Sequence, residues 1–153
     1  MQSFGSIDEI LDFAIAREVE AAKFYQEMSG RVKRDAMKDL FRDFANEERR
    51  HKAKLEKVKQ GKLLLISAKK IQDLKIAEYT EEIDMSSGAE FNYQQALIVA
   101  MQREKNAFKL YSDLAKLADD EGVRNLLLEL ANEEAKHKLY FETEYDNHIL
   151  TEN

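Results

Sequence analysis

The chain has 153 residues, 30 of them acidic and 24 basic, for a net charge of −6, and it contains no Cys, Pro or Trp. Without Cys, disulfides, thiolate zinc sites, iron–sulfur clusters and thiol catalysis are excluded. The acidic balance argues against nucleic acid or an anionic membrane as the main partner. With no Pro, five Gly, 44% apolar and 35% charged residues, the composition predicts long helices in a single domain over 1–153. The longest apolar run, Leu63 to Ile66, is far too short to span a membrane. The start of the chain lacks the basic-then-apolar pattern of a signal peptide, so a soluble, cytoplasmic protein is expected.

Four long helices follow from the hydrophobic period. The first begins at Ser6-Ile7-Asp8-Glu9, a capping box in which Ser6 accepts the Glu9 amide and the Glu9 side chain returns to Ser6. It is expected to end near Ser29-Gly30, with Gly30 as the breaker. The second runs from about Asp35 to Gln60 and stops at Gly61. A connection of some thirty residues follows, 62–91, holding an amphipathic piece (Ile71, Leu74, Ile76, Tyr79) and a turn-like Met85-Ser86-Ser87-Gly88. The third helix starts at the cap Asn92 and ends near Ala118; the fourth follows a turn at Asp119-Asp120 and reaches about Ile149. A connection that long is expected to cross the length of the fold. The expected fold is therefore all-α: two helical hairpins joined by a long crossover in a four-helix bundle.

The hairpins are an internal repeat. Shifted by 86, residues 8–56 align with 94–142 without a gap, and fifteen of the 49 positions are identical. Among them are Arg17/Arg103, Glu18/Glu104, Tyr25/Tyr111, Glu47/Glu133, Glu48/Glu134 and His51/His137. Chance supplies about two or three.

At 3-4 spacing each helix carries an apolar stripe interrupted at its middle. The first reads Leu11, Ala14, Glu18, Ala21, Tyr25; the second Phe41, Phe44, Glu48, His51, Leu55. The third reads Leu97, Ala100, Glu104, Ala107, Tyr111, and the fourth Leu127, Leu130, Glu134, His137, Phe141. Packed inward, the stripes put four glutamates and two histidines in a dry core. A buried, unpaired carboxylate must protonate or find a cation, and two imidazoles cannot neutralise four carboxylates. Two divalent ions can. Glu18, Glu48, His51, Glu104, Glu134 and His137 are thus the candidate metal ligands, since Glu and His at i, i+3 share one helix face. Glu47 and Glu133 fall off the stripe and are expected outward or sideways. Ala14, Ala21, Ala100 and Ala107 are expected to leave room for ions and a small ligand. Tyr25 and Tyr111, two turns beyond Glu18 and Glu104, are either core packing or hydrogen-bond donors to a ligating carboxylate. His148 has no counterpart in the repeat and is expected at the surface.

These motifs resemble the ferritin-like diiron carboxylate superfamily, whose ligand rule is Glu from two helices and Glu-x-x-His from two others. The segments Arg17-Glu18…Phe24-Tyr25, Glu47-Glu48-Arg49-Arg50-His51, Arg103-Glu104…Tyr111 and Glu133-Glu134-Ala135-Lys136-His137 are most similar to rubrerythrin-like proteins. The resemblance implies two iron ions, with Glu18 and Glu104 as terminal ligands, Glu48 and Glu134 bridging, and His51 and His137 on one metal each. It implies reduction of hydrogen peroxide, with dioxygen as a further oxidant, and a homodimer. Rubrerythrins usually carry a rubredoxin domain with four Cys; its absence here implies an external electron donor such as a rubredoxin. They also have a seventh carboxylate one turn after the third-helix Glu, where this chain has Ala107. The six-ligand set is closer to that of bacterioferritin ferroxidase centres. Iron oxidation and handling, a non-redox zinc or manganese site, and hydroxylation of an organic substrate are the alternative expectations.

Overall fold

In the computed structural model, residues 3–80 and 92–152 are described. Helix α1 is Ile7–Arg31 and α2 is Asp35–Gln60. A short α3, Ala68–Gln72, and a single 3-10 turn, Ile76–Tyr79, lie in the crossover. Helices α4, Tyr93–Leu117, and α5, Glu121–Glu152, complete the order. Helix α1 pairs with α2, and α4 with α5, so the two hairpins are as expected. No helix among the described residues is long and apolar enough to cross a membrane. The predicted turn at Met85–Gly88 lies outside the described residues.

The caps explain where the helices start. Ser6 Oγ accepts the Glu9 amide at 3.1 Å, but the Glu9 carboxylate returns to the amide of Gly5, at 2.8 Å, not to that of Ser6. Asn92 accepts the Gln95 amide at 3.1 Å, and Asp120 accepts that of Val123 at 2.9 Å. Each such cap contributes about 1 kcal/mol.

Two ends differ from expectation. Gly30 does not break α1, which continues to Arg31. The stop is set by Val32, whose amide bonds Met28 O at 3.0 Å and whose side chain is buried in the core. At the end of α2, Gly61 is in ordinary right-handed geometry, and the left-handed residue is Lys62, at φ 52°. Lys62 N–H bonds Lys59 O and Leu63 N–H bonds Val58 O, the paired bonds of a Schellman motif. The glycine thus sits one residue early, and a lysine takes the position that glycine usually fills.

Beyond that turn the chain is extended, so Leu64 and Ile66 point into the core while Leu63 and Leu65 face solvent. Ile71, Leu74 and Tyr79 are buried and Ile76 partly so, which makes the crossover a strap packed on the bundle. Tyr79 OH donates to Asp113 on α4 at 2.8 Å, and the Phe4 ring stacks on Tyr79.

The inward stripes are the predicted ones. The apolar core divides into two clusters, one around Leu11, Leu55, Leu114 and Leu127, the other around Tyr25, Met28, Phe41 and Phe141. A polar layer separates them.

Candidate metal centre

Helical spacing builds that layer. Glu18 enters from α1, Glu48 and His51 from α2, Glu104 from α4, and Glu134 and His137 from α5. All six are buried, at 1–3% exposure, in the middle of otherwise apolar stripes. They form two overlapping sets of metal-competent donors: Glu18, Glu48, His51 and Glu134, and Glu48, Glu104, Glu134 and His137. Glu48 and Glu134 belong to both. Within each set the donor atoms lie within 4.8 Å of one another. All six residues selected from the sequence are therefore brought together.

The donor atoms aim at shared points, not at each other. His51 Nδ1 is 2.8 Å from Glu134 Oε1, and His137 Nδ1 is 3.1 Å from Glu48 Oε1, yet all four atoms lack a hydrogen-bond partner. Glu18 Oε2, Glu48 Oε2 and Glu104 Oε2 are likewise buried without one. Orphaned buried oxygens and nitrogens are costly unless a cation occupies the space between them. Donors bound at about 2.1 Å in an octahedral shell sit about 3 Å apart, as these do. The donor set fits two metal ions.

The protonation pattern has the same cause. Burial, with Glu134, Glu18 and Glu104 close by, pushes the Glu48 carboxyl well above the usual range. Burial and the carboxylates of Glu104 and Glu18 do the same to Glu134, against a smaller lowering by His51. Glu18 is lowered: burial acts to raise it, but Glu48, His51 and Tyr111 beside it favour its ionised form and prevail. For His51, burial acts to lower the imidazole, but Glu134 and Glu18 outweigh it and hold it up to about 11. His137 is also raised, by Glu104 and Glu47, against its burial. Burial and mutual repulsion thus favour the neutral form of Glu48 and Glu134.

A second set of contacts crosses between hairpins. Tyr25 OH donates to Glu104 Oε1 and Tyr111 OH to Glu18 Oε1. Both tyrosines are buried, so the core-packing and donor readings are both met, with each donor serving the other hairpin's Glu. Glu47 and Glu133 lie off the inward stripe, as expected, and have a further contact that the period does not show. Their side chains are 37–38% exposed, but Glu133 Oε2 bonds His51 Nε2 and Glu47 Oε2 bonds His137 Nε2. With Nε2–H donating outward, Nδ1 is left to face the carboxylates. The sequence did carry a signal for this: Glu47 and Glu133 are identical at matching positions of the repeat.

A cavity of about 30 Å³ adjoins the layer between α1 and α4, with Glu18, Glu48, Glu104 and Glu134 in its wall. That is room for about one water-sized ligand. Ala21 and Ala107 line it as expected, while Ala14 and Ala100 are buried in the apolar clusters instead. His148 is half-buried at the surface, edge-on to the Tyr93 ring at 5.2 Å.

No curated protein sequence matches the chain. Among solved structures, a hypothetical protein from Pyrococcus furiosus has the same fold, with a TM-score of 0.72 at 24% identity. The match covers 92% of this chain and 89% of that one. The family profile described as Rubrerythrin matches residues 9–145, nearly the whole of both hairpins. With a rubrerythrin profile over residues 9–145 and a buried Glu/His layer that could bind metal in a helical bundle, the chain belongs to the rubrerythrin family.

Proposed function

We propose that the protein is a non-haem diiron redox protein that reduces hydrogen peroxide, and dioxygen as a further oxidant, with electrons from an external donor such as a rubredoxin. The observation that carries this reading is the paired donor set with two shared carboxylates beside a cavity for one small ligand. Glu48 and Glu134 would bridge two irons, Glu18 and Glu104 would bind terminally, and His51 and His137 would each hold one. Two adjacent irons, when bound, supply the two electrons that cleavage of the peroxide O–O bond needs.

The chain's own residues do the rest. Tyr25 and Tyr111 hold the carboxylates of Glu104 and Glu18 in place by hydrogen bonds from across the bundle. Glu47 and Glu133 fix the imidazole rings and make their inward nitrogens better donors. The apolar clusters on either side exclude bulk water. Helix packing fixes all of these before any ligand arrives, so reorganisation is small.

Ferroxidase activity is the second reading, favoured by Ala107, which lines the cavity where rubrerythrins place a seventh carboxylate. The same experiment separates the two. Protein loaded anaerobically with Fe(II) is mixed in stopped flow with peroxide or with dioxygen. Faster oxidation by peroxide, repeated over many turnovers when a reductant is supplied, supports the first reading. Equal rates and a single turnover favour the second. His137→Ala should abolish two-metal binding; unchanged metal stoichiometry would show the ligand assignment to be wrong.

A further inference from the structure

The internal repeat is broken at one charged position in the wall of the cavity between α1 and α4. In the first half, Arg17 reaches one turn along α1 and pairs with Glu20 at 3.1 Å. Arg103 is the matching arginine on α4, but the position matching Glu20 is Asn106, a buried neutral amide whose Oδ1 accepts from Gln102 at 3.0 Å. All four of Arg17, Glu20, Arg103 and Asn106 line the cavity. Arg103 thus lacks the carboxylate that its counterpart has. Among the described residues it pairs with no carboxylate, and its guanidinium lies over the Phe24 ring of α1, 5.0 Å from the centroid. Its Nε is buried and has no hydrogen-bond partner. A buried N–H in that state is costly unless an acceptor takes it.

The charge of the cavity wall depends on the metal layer. Glu18, Glu48, Glu104 and Glu134 form part of that wall, and two divalent ions balance them once bound. Among the described residues the other charged groups of the wall are Arg17, Glu20 and Arg103, of which the first two cancel. The loaded cavity therefore carries one uncompensated positive charge, on the residue with the open donor. Away from bulk water such a charge attracts an anion more strongly than it would in solution. A guanidinium presents parallel N–H groups that match two oxygens on one centre. A volume of about 30 Å³ restricts the ligand to the smallest anions of that kind. Without metal the same wall is strongly negative and repels them.

We propose that the cavity is a binding site for one small monovalent anion of the formate class, held by the Arg103 guanidinium against the metal-loaded layer. This rests on the two-metal reading of the layer and not on the peroxide chemistry. Arg103 supplies the N–H donors and the charge. Asn106 keeps them open, because an amide does not answer them as the Glu20 carboxylate answers Arg17. Ala21 and Ala107 leave the space. Because the cavity holds one small ligand at a time, the anion and a peroxide compete for it.

The test is calorimetric titration of zinc-loaded and metal-free protein with sodium formate at constant ionic strength. Zinc-loaded wild type, its metal content checked by elemental analysis, should bind one formate per chain, and the metal-free protein none. Arg103→Gln should weaken formate binding by at least about tenfold, the loss of a charge-assisted hydrogen bond, at unchanged zinc content. Arg103→Lys keeps the charge without the fork and should lose less. Asn106→Glu installs the residue of the other half and gives Arg103 an internal partner, so it should lose formate as Arg103→Gln does. Lys105→Gln removes the same charge from the exposed face of α4 and should stay within about twofold of the wild type. Butyrate, too large for the cavity, should bind far more weakly than formate. Wild-type formate affinity in either Arg103→Gln or Asn106→Glu, equal affinity for butyrate, binding by the metal-free protein, or no binding by the zinc-loaded wild type overturns the anion site. Failure of the wild type to hold two zinc ions overturns instead the two-metal reading on which it rests.

Discussion

Glu48→Gln tests the electrostatic account of the core. Glu48 is 1% exposed, both its oxygens lack partners, and three further carboxylates share its layer. Its folded pKa is raised, first by burial and then by Glu134, Glu18 and Glu104. A group raised on folding contributes its full stability below its unfolded pKa and loses it as pH rises toward the folded one. With an ordinary value of 4.5, keeping this carboxyl neutral at pH 7 costs up to 2.5 pH units. At about 1.36 kcal/mol per unit this sets a ceiling of about 3.4 kcal/mol. The neutral amide has no such cost, so metal-free Glu48→Gln should exceed the metal-free wild type by about 1–3 kcal/mol at pH 7. That corresponds to a Tm higher by about 3–9 °C for a chain of this size. At pH 5 the ceiling drops to about 0.7 kcal/mol. With metal the order reverses. Free ion at about one hundred times its Kd stabilises the wild type by about 2.7 kcal/mol per site, and the variant, having lost a ligand common to both donor sets, should gain little. Urea unfolding of chelator-treated and metal-loaded protein at both pH values is the assay. A variant less stable than the wild type without metal at pH 7, or one that keeps the full metal-induced gain, would refute the reasoning.

Three further outcomes are expected. Glu133→Gln loosens the His51 ring and should weaken metal affinity about 10- to 100-fold while two ions still bind at saturation, measured by competition with a chelator of known affinity. Metal loading at pH 7 should release more than one proton per pair, because His51 is held up to about 11 and Glu48 and Glu134 are raised. Calorimetry in buffers of different ionisation enthalpy counts them, and affinity should rise with pH. Lys62→Gly removes a side chain from φ 52° and should raise stability by about 0.5–1 kcal/mol, read as a higher urea midpoint at unchanged slope.

The sequence alone determined the four helices, the hairpin pairing and all six candidate ligands, because each rests on local information. A buried stripe at a fixed period must be apolar, so a Glu or Glu-x-x-His within it stands out, and the repeat supplies the second copy. Helix stops were less legible. Gly30 lies inside α1 because burial of Val32 sets the end, and Lys62 takes the left-handed position because the Schellman bonds close one residue beyond Gly61.

What tertiary structure decided are the contacts between hairpins. Period places Glu47 and Glu133 off the inward stripe, and they are indeed part-exposed, yet their carboxylates reach the outer nitrogens of the opposite hairpin's histidines. Tyr25 and Tyr111 serve Glu104 and Glu18, residues 79 and 93 positions away in the chain. The stacking of Phe44 from α2 on the His137 ring of α5 also appears only when the two hairpins are packed together. Helical periodicity tells which way a side chain points from its own axis; which partner it meets depends on how two helices distant in sequence are set against each other.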